Sequence, residues 1–376
     1  MKVYIIAGEA SGDLHAADLL RELKAMHPDL QARAWGGDLL KAQGATIVKH
    51  YKDLAFMGFT EVLLNLRTIL SNINFCKKDI LEFKPDAIIL VDYPGFNLRI
   101  AEFAKRNGFI VYYYISPQVW AWKSSRVKKI RENVKRLFVI LPFEKIFYKK
   151  YNYDVEYVGH PLTDVIQKKS ETFSERHLFL QKYSLPDIPI ISLLPGSRKQ
   201  EIKAMLPLML AVVNKFPNYQ FIIAGAPSQK NTFYKEFIKE QKVFLLTGIT
   251  HELLHHSHAA LVTSGTATLE TALLNIPEVV CYKGGKISYY IARSLVKINF
   301  ISLVNLILNR EVVKELIQNR LTVNNLEAEL QAILNDENRK RIFKDYVELR
   351  EKLSRGGAAA RTAGLILDDL KKESIF

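Results

Sequence analysis

Apolar, β-rich runs alternate with helical patterns twice along this chain, and this alternation is the feature that most constrains its fold. Short runs rich in β-branched and aromatic residues are separated by stretches in which apolar residues recur at helical spacing. Consecutive βαβ units of this kind build a parallel sheet with helices on both faces. The sequence therefore predicts an α/β protein with two doubly wound, Rossmann-like domains.

The predicted strands divide between the two halves of the chain, and each half carries enough of them for a sheet of its own. In the first half they are Val3–Ala7, Ala32–Trp35, Ala87–Val91, Ile110–Ile115, Arg136–Ile140 and Val155–Val158. In the second half they are Ile190–Leu194, Gln220–Ala224, Val243–Leu246, Ala260–Thr263 and Glu278–Cys281. From Val312 onward no strand pattern remains, and charged helical patterns run to the C-terminus.

A polar stretch over residues 167–174 marks the predicted boundary between the halves. We therefore expect domains over residues 1–166 and 167–347, followed by C-terminal helices over 348–376 that could cross back to the first domain. Ligands of doubly wound sheets bind beyond the carboxyl ends of the strands. We expect the site at those ends, between the two halves.

Composition and charge narrow the class of protein. With 376 residues, 48% of them hydrophobic, the chain can bury the cores of two ordinary domains. The apolar run at the N-terminus is too short for a signal peptide and no stretch is long enough to span a membrane, so we expect a cytoplasmic protein. Cys76 and Cys281 lie far apart and are expected to be buried thiols. The net charge of +14 indicates an anionic partner, which could be nucleic acid, a phosphorylated substrate or an acidic membrane surface.

The turn after the first strand, Gly8-Glu-Ala-Ser-Gly-Asp13, lies at the start of a predicted helix. Such a position commonly binds a phosphate, because the free N–H groups of a helix N-terminus favour anions. This turn lacks the G-x-G-x-x-G spacing, however, and its carboxylates Glu9 and Asp13 would repel a diphosphate. We therefore expect the turn to frame a different substrate, with helix capping as the alternative role of Asp13.

Asp92 follows directly on the apolar run Ala87–Val91, at the carboxyl end of a predicted strand. An aspartate in this position could act as a general base that takes a proton from an attacking hydroxyl. The alternative role is structural, as a helix cap or a turn residue ahead of Pro94.

Two turns in the second half have the features of an anion-binding site. Gly196-Ser-Arg198 and Ser264-Gly-Thr266 each follow a strand and open a helix, which brings free N–H groups and Arg198 toward a ligand. Glu270, one helical turn further on, could bind ribose hydroxyls. Each turn alone could be an ordinary capped βα turn; together they predict a nucleotide-diphosphate site.

One further match is interpreted as coincidental. His251-Glu-Leu-Leu-His255 fits the zinc-protease pattern, in which two histidines one turn apart bind the metal. The helix available between two strands is short, and the downstream extension of the motif is missing. We predict no metal site here.

Two segments suggest a surface for lipid. A helical pattern after Gly58 places apolar side chains on one face: Phe59, Val62, Leu63, Leu66, Ile69 and Leu70. Trp120 and Trp122 precede a basic run from Lys123 to Arg136, a combination that suits an anionic membrane interface. The alternatives are a core-facing helix for the first segment and a solvated helix or a nucleic-acid site for the second. No RRM, KH or zinc-finger signature accompanies the basic run.

Several of these motifs occur together in the order of a known family. They are Gly8-Glu-Ala-Ser-Gly-Asp13, Met57-Gly58, Glu61-Val-Leu63, Asp92 with Pro94 and Phe96-Asn97, Ser116-Pro117, Val119-Trp-Ala-Trp122, Pro142-Phe-Glu144, Gly159-His-Pro161, Leu194-Pro-Gly-Ser-Arg198 and Ser264-Gly-Thr-Ala267 with Leu269-Glu270. Over almost its whole length the chain resembles the lipid-A-disaccharide synthases. The resemblance implies a GT-B fold, with two Rossmann-like domains facing a central cleft, in an enzyme of lipid A and lipopolysaccharide biosynthesis.

The resemblance also implies an activity and its substrates. Such enzymes are inverting glycosyltransferases that act at the cytoplasmic face of the inner membrane as peripheral proteins. They transfer a 2,3-diacylglucosamine unit from UDP to 2,3-diacylglucosamine 1-phosphate, which gives a β-1,6-linked disaccharide 1-phosphate and UDP. The implied partners are these two lipids and an anionic membrane surface, with no nucleic acid and no cofactor.

Roles for individual residues follow from their motif positions in the family. Asp92 would deprotonate the acceptor, with Glu9, Ser11 and Asp13 lining the acceptor side. On the donor side, Arg198 would stabilise the departing UDP and Glu270 would hold the ribose, beside Gly196, Ser197, Ser264, Gly265, Thr266 and Asn305. Val304 stands where the family has proline before Asn305. The apolar helix described above would shelter acyl chains.

Two other classes of function stay open at this point. A UDP-sugar 2-epimerase would share the GT-B architecture and the donor motifs but would need no acceptor. A non-catalytic protein that binds membranes or nucleic acid would explain the charge, although it would have no use for Asp92, Arg198 and Glu270 together.

Overall fold

The computed structural model describes residues 1–53, 66–122, 124–239, 241–284, 299–353 and 356–373. The chain forms two compact units, one of Met1–Pro161 with Arg355–Phe376 and the other of Leu162–Ser354. Each unit is built on its own parallel sheet. The sequence predicts the domain boundary between residues 166 and 167, and in the structure the two units divide between residues 161 and 162.

The first unit contains a seven-stranded sheet in the order β3-β2-β1-β4-β5-β6-β7. All of its neighbouring strands pair in parallel. The strands are β1 (Lys2–Ala7), β2 (Gln31–Gly36), β3 (Thr46–His50), β4 (Ala87–Val91), β5 (Ile110–Tyr114), β6 (Arg136–Val139) and β7 (Glu156–Tyr157).

Helices cover both faces of this sheet and enclose a separate apolar core on each face. They are α1 (Ala10–Met26), α2 (Asp38–Ala42), α3 (Leu66–Phe83), α4 (Pro94–Arg106), α5 (Val119–Trp122), α6 (Arg126–Asn133) and α7 (Pro142–Lys149), and the C-terminal helix α17 (Ala358–Glu373) joins them. Apolar residues of α17 belong to the same core as α1 and β1. Arg361 donates hydrogen bonds to the Val158 carbonyl, and Arg136 pairs with Asp369 at 2.8 Å.

The second unit contains a six-stranded parallel sheet in the order β10-β9-β8-β11-β12-β13. Its strands are β8 (Ile190–Leu194), β9 (Gln220–Gly225), β10 (Val243–Thr247), β11 (Ser257–Thr263), β12 (Glu278–Tyr282) and β13 (Lys314–Ile317). Its helices are α8 (Pro161–Ser170), α9 (Arg176–Lys182), α10 (Lys199–Leu210), α11 (Asn231–Ile238), α12 (Thr250–His255), α13 (Thr266–Leu273), α14 (Leu303–Leu308), α15 (Val323–Leu334) and α16 (Asp336–Leu353). The prediction of two doubly wound parallel sheets is confirmed.

Two strands were absent from the sequence prediction, and both lie at the edge of a sheet. The strand β3 is half-buried and carries Lys49 and His50. The strand β13 contains Lys314 and Glu315, and it lies beyond Val312, where we expected no strand. In β3 the charged residues lie partly exposed at the sheet edge, whereas Glu315 of β13 is buried and accepts hydrogen bonds from Ser302 and Asn305. In both strands the charged residues mask the apolar pattern. The expectation of helices alone after Val312 was therefore wrong.

Part of the predicted apolar helix lies outside the described residues, namely Phe59, Val62 and Leu63. Leu66 begins α3; further along this helix Ile69 packs against the core, while Leu70 is 47% exposed. Within the described part of the chain, no helix has both the length and the apolar composition needed to cross a bilayer.

Glu278 is an unusual feature of the second core. The residue is completely buried at the start of β12, and within the described ranges neither of its carboxyl oxygens has a hydrogen-bond partner. Burial, together with the nearby charge of Glu315, raises the pKa of Glu278 well above its usual value. The folded protein therefore favours the neutral acid at this position.

We expect Glu278→Gln to flatten the decline of stability with rising pH. The carboxyl releases its proton near pH ~4.3 in an unfolded chain and at a higher pH in the folded one. Between those two values the unfolded state binds fewer protons, so raising the pH favours unfolding. Thermal unfolding between about pH 5 and pH 9 should show a steeper fall in Tm for the parent protein than for the variant.

The same substitution at the exposed Glu171 serves as the control and should leave the pH dependence unchanged. Parallel curves for the parent protein and Glu278→Gln would contradict the expectation.

Candidate active site

The first candidate site forms where the strand order of the first sheet reverses, between β1 and β4. Ala7 pairs with Val91, so the turns that follow these two strands lie side by side. The contact is close at Gly8, where a Cβ atom would lie only 2.4 Å from the ring of Tyr93. A glycine is therefore required here, and it lets the Tyr93 ring join the two turns.

Asp92 is presented on a strained turn that two side chains hold in place. Asp92 and Tyr93 both have positive φ angles, 44° and 49°, which non-glycine residues adopt only when their surroundings impose it. The carbonyl of Asp92 accepts hydrogen bonds from the Tyr113 hydroxyl at 2.5 Å and from the Asn97 amide at 2.7 Å. These two donors fix the backbone that carries the Asp92 carboxyl.

The carboxyl of Asp92 also has an unusual proton affinity. Burial and the negative charge of Glu9 raise its pKa to about 6, although the N–H of Tyr93 acts in the opposite direction. A carboxyl with this pKa can accept a proton near neutral pH, as a general base must. Glu9 precedes α1, and Ser11 lies in the first turn of that helix; both residues are exposed.

Asp13 is buried, and its carboxylate holds a neighbouring turn. The two oxygens accept backbone N–H groups of Gly37 at 2.7 Å, Leu39 at 3.1 Å and Leu40 at 3.3 Å, at the start of α2. The capping role considered for Asp13 is thus present, but it serves α2 rather than its own helix α1.

A second buried carboxyl in this unit, Glu144 of the Pro142-Phe-Glu144 motif, was not predicted as a site residue. Glu144 accepts the backbone N–H groups of Ile140 and Leu141 at 3.2 and 3.0 Å. Burial raises its pKa to about 8, and the charge of Asp92 adds to the shift. No sequence pattern indicates the contacts of Glu144, Asn97 and Tyr113. These contacts arise only in the folded chain.

The second candidate site lies at the corresponding reversal of the second sheet, between β8 and β11. A cavity of about 770 Å³ opens there. The residues of both predicted turns line it, namely Gly196, Ser197, Arg198, Ser264, Gly265 and Thr266, together with Glu270. The structure thus brings together residues that are about 70 positions apart in the sequence, because parallel strands end at one edge.

Glu201 shapes the loop that carries Arg198. Its carboxylate accepts the N–H groups of Ser197 and Arg198 at 3.1 and 3.2 Å, which caps α10. The expectation that this turn presents free N–H groups to a ligand is therefore wrong at these two positions. A Cβ atom at position 196 would lie 2.7 Å from this carboxylate, and Gly196 has a φ of +103°. The Arg198 side chain is 71% exposed and reaches Glu201 at 3.3 Å, so its charge is available to a ligand.

Histidines of the zinc-like motif have other partners in the fold. His251 contacts Glu270 at 2.9 Å, and Glu252 accepts a hydrogen bond from Ser174 at 2.7 Å. The ring of His255 lies against Phe173, with 5.0 Å between centroids. The helix α12 has six residues, as short as the sequence predicted. Across the described ranges, no group of three or more His, Cys, Asp or Glu residues is placed to share a metal ion.

Asn305 is completely buried, and it is not among the described residues that line the cavity. Its side-chain oxygen accepts the N–H groups of Val312 and Val313 at 2.7 and 3.0 Å. Its amide donates to the Val313 carbonyl and to Glu315. These contacts join α14 to β13, so the side chain has a structural role in this structure.

The model of the lipid-A-disaccharide synthetase family matches residues 3–366. The chain belongs to this family. Lipid-A-disaccharide synthases from Syntrophus aciditrophicus, Myxococcus xanthus and Coxiella burnetii are 41%, 37% and 36% identical to it. The matches cover 97% or 98% of this chain and of each relative. The resemblance inferred from the motifs is confirmed, and the protein is a glycosyltransferase of lipid A biosynthesis.

Solved structures with similar folds include a UDP complex and a UDP-GlcNAc 2-epimerase. The MnaA–UDP structure from S. aureus aligns with a TM-score of 0.69 and 14% identity, over 98% of this chain and 97% of that one. The UDP-GlcNAc 2-epimerase from Neisseria meningitidis aligns with a TM-score of 0.66 and 14% identity, over 99% and 100%. Similarity at this identity establishes the fold alone, which is the GT-B fold.

We expect Tyr113→Phe to destabilise the first unit by about 1–2 kcal/mol, because it removes a buried hydrogen bond to the Asp92 carbonyl. Tyr153→Phe is the matched control, since within the described ranges the buried Tyr153 hydroxyl has no hydrogen-bond partner. Chemical denaturation would measure both. Equal stability of the two variants would show that the Tyr113 contact contributes nothing.

Proposed function

We propose that the protein condenses UDP-2,3-diacylglucosamine with 2,3-diacylglucosamine 1-phosphate, which gives the β-1,6-linked lipid A disaccharide 1-phosphate and UDP. The observation that carries the proposal is the presentation of Asp92 on a fixed turn at the switch point of its sheet, with a pKa of about 6. Membership of the lipid-A-disaccharide synthetase family supports the choice of substrates.

The chemical step would be a direct displacement with inversion. The 6-hydroxyl oxygen of the acceptor attacks the anomeric carbon of the donor, and its proton passes to the Asp92 carboxylate. A new carbon–oxygen bond forms as the bond from the anomeric carbon to the diphosphate breaks, and UDP leaves with the electron pair. Glu9 would support the reaction by raising the proton affinity of Asp92, while Ser11 and Asp13 belong to the turn assigned to the acceptor.

The second unit would bind the donor. The N-terminus of α13 and the Arg198 guanidinium are suited to a diphosphate and would stabilise its growing charge as it departs. Glu270 is assigned to the ribose hydroxyls. Asn305 would contribute indirectly, through the packing of α14.

Association with the surface of the inner membrane is part of the proposal. The net charge of +14 favours anionic lipid, and the exposed Leu70 on α3 continues the apolar pattern that the sequence assigns to acyl chains. The enzyme would act from the cytoplasmic side without spanning the bilayer.

The decisive test pairs two variants with the purified donor and acceptor lipids. Asp92→Asn should lower turnover by about a hundredfold or more and leave UDP binding intact, because the amide cannot accept the proton. Arg198→Ala should weaken UDP binding and slow the transfer together. Disaccharide formation, UDP release and calorimetric UDP binding would be measured.

Retained turnover in Asp92→Asn would overturn the assignment of the base. Unaltered UDP affinity in Arg198→Ala would place the diphosphate elsewhere. A parent protein that makes no disaccharide, but converts UDP-GlcNAc to a 2-epimer without an acceptor, would favour the epimerase alternative instead.

The pH dependence of the transfer offers a separate prediction. Below pH ~6 the Asp92 carboxyl is protonated and cannot act as a base, so kcat/KM should fall about tenfold per pH unit there. Because the charge of Glu9 raises this pKa, Glu9→Gln should move the acidic limb to lower pH. Initial rates over a pH series would measure it; an unmoved limb would show that Glu9 does not act on the titrating group.

A further inference from the structure

Three residues of the second unit form a continuous hydrogen-bonded chain along the wall of the cavity. Nε2 of His251 lies 2.9 Å from Oε2 of Glu270, and Nδ1 of the same ring lies 3.0 Å from Nζ of Lys169. All three residues line the cavity. His251 and Glu270 have side chains that are only 15% and 19% exposed.

The chemistry of Lys169 determines how the protons are placed. A lysine ammonium can only donate hydrogen bonds, so Nδ1 of His251 must accept one. A ring whose Nδ1 accepts is neutral and carries its proton on Nε2, from which it donates to Glu270. One form of the ring, neutral with its proton on Nε2, therefore satisfies both contacts.

This arrangement leaves Glu270 with one occupied and one free oxygen. Oε2 accepts from His251, whereas no donor from the described part of the chain reaches Oε1. A carboxylate anchored through one oxygen keeps a single rotamer, and its second oxygen stays available to a ligand hydroxyl. The ordering cost that a mobile glutamate would incur on binding is reduced.

We propose that His251 is a positioning residue that sets the selectivity of this site for a ribonucleotide, with Lys169 keeping the ring in the form that donates to Glu270. The inference rests on the proposed function, in which the cavity receives a nucleoside diphosphate. This positioning role of His251 differs from simple packing within α12 and from binding a metal ion.

The test compares the binding of UDP with that of 2′,3′-dideoxy-UDP, which lacks both ribose hydroxyls. A hydrogen bond to a charged group that is lost from a built site typically changes affinity by about 10- to 100-fold, so the parent protein should prefer UDP by that factor. His251→Ala should reduce the preference to about threefold or less, mainly through weaker UDP binding. Calorimetry on the full-length protein measures both ligands.

Two isosteric substitutions keep the test independent of folding. The amide nitrogen of Gln occupies the place of Nε2 and can still donate to Glu270, whereas that of Asn is too short to reach it. His251→Gln should therefore retain most of the selectivity and His251→Asn should lose it, at equal melting temperature. His177→Ala removes an exposed histidine that contacts Glu175 at 3.3 Å outside the cavity, and it should leave the selectivity unchanged.

A spectroscopic measurement tests the role of Lys169. In ¹⁵N-histidine-labelled protein at neutral pH, with His251 assigned by difference from His251→Gln, the ring should be neutral with its proton on Nε2. A charged ring, or a proton on Nδ1, would overturn the assignment.

The outcomes separate this inference from the proposed function. If the parent protein does not bind UDP, the donor site itself is wrong and the inference fails with it. If the parent binds UDP selectively and both His251→Ala and His251→Asn keep that selectivity, the donor site stands and the role of His251 is refuted.

Discussion

The strand order reverses between β1 and β4 in one sheet and between β8 and β11 in the other, and both candidate sites depend on that reversal. On either side of such a point, successive crossover connections leave in opposite directions, so the turns after the two central strands are not covered by a helix. Asp92 and the Gly8 turn occupy one of these points. Arg198 and the Ser264 turn occupy the other. The same topological constraint therefore places both sets of candidate side chains at uncovered turns.

The residues around the two strand-order reversals differ in chemical character. In the first unit, carboxyl groups predominate: burial and Glu9 raise the pKa of Asp92, and Glu144 has an even higher proton affinity. In the second unit, the N-terminus of α13 and the Arg198 guanidinium favour an anion, and His251 restrains the carboxylate of Glu270. A glycosyl transfer needs both environments, because a proton must be removed from the acceptor while negative charge is stabilised on the leaving group.

Two residues that the sequence assigns to the site also make structural contacts within their unit. Asp13 holds the start of α2, and Asn305 joins α14 to β13, so both side chains are hydrogen-bonded within the protein. Their residue types are equally suited to a ligand or to a backbone partner, and only the folded chain distinguishes these uses. The histidines of α12 illustrate the same point, since their helical spacing fits a metal site while His251 is bound to Glu270.

The sequence by itself determined the α/β class, the two parallel sheets, the family, the turns that carry Asp92 and Arg198, and the helix start that carries Glu270. These properties depend on local apolar periodicity and on short motifs, both of which are readable along the chain. Only the tertiary structure decided that β3 and β13 complete the sheets, that Tyr113 and Asn97 hold Asp92 in a strained backbone, and that Lys169 and His251 reach Glu270. Each of these depends on contacts between residues distant in sequence, whose partners no local pattern identifies.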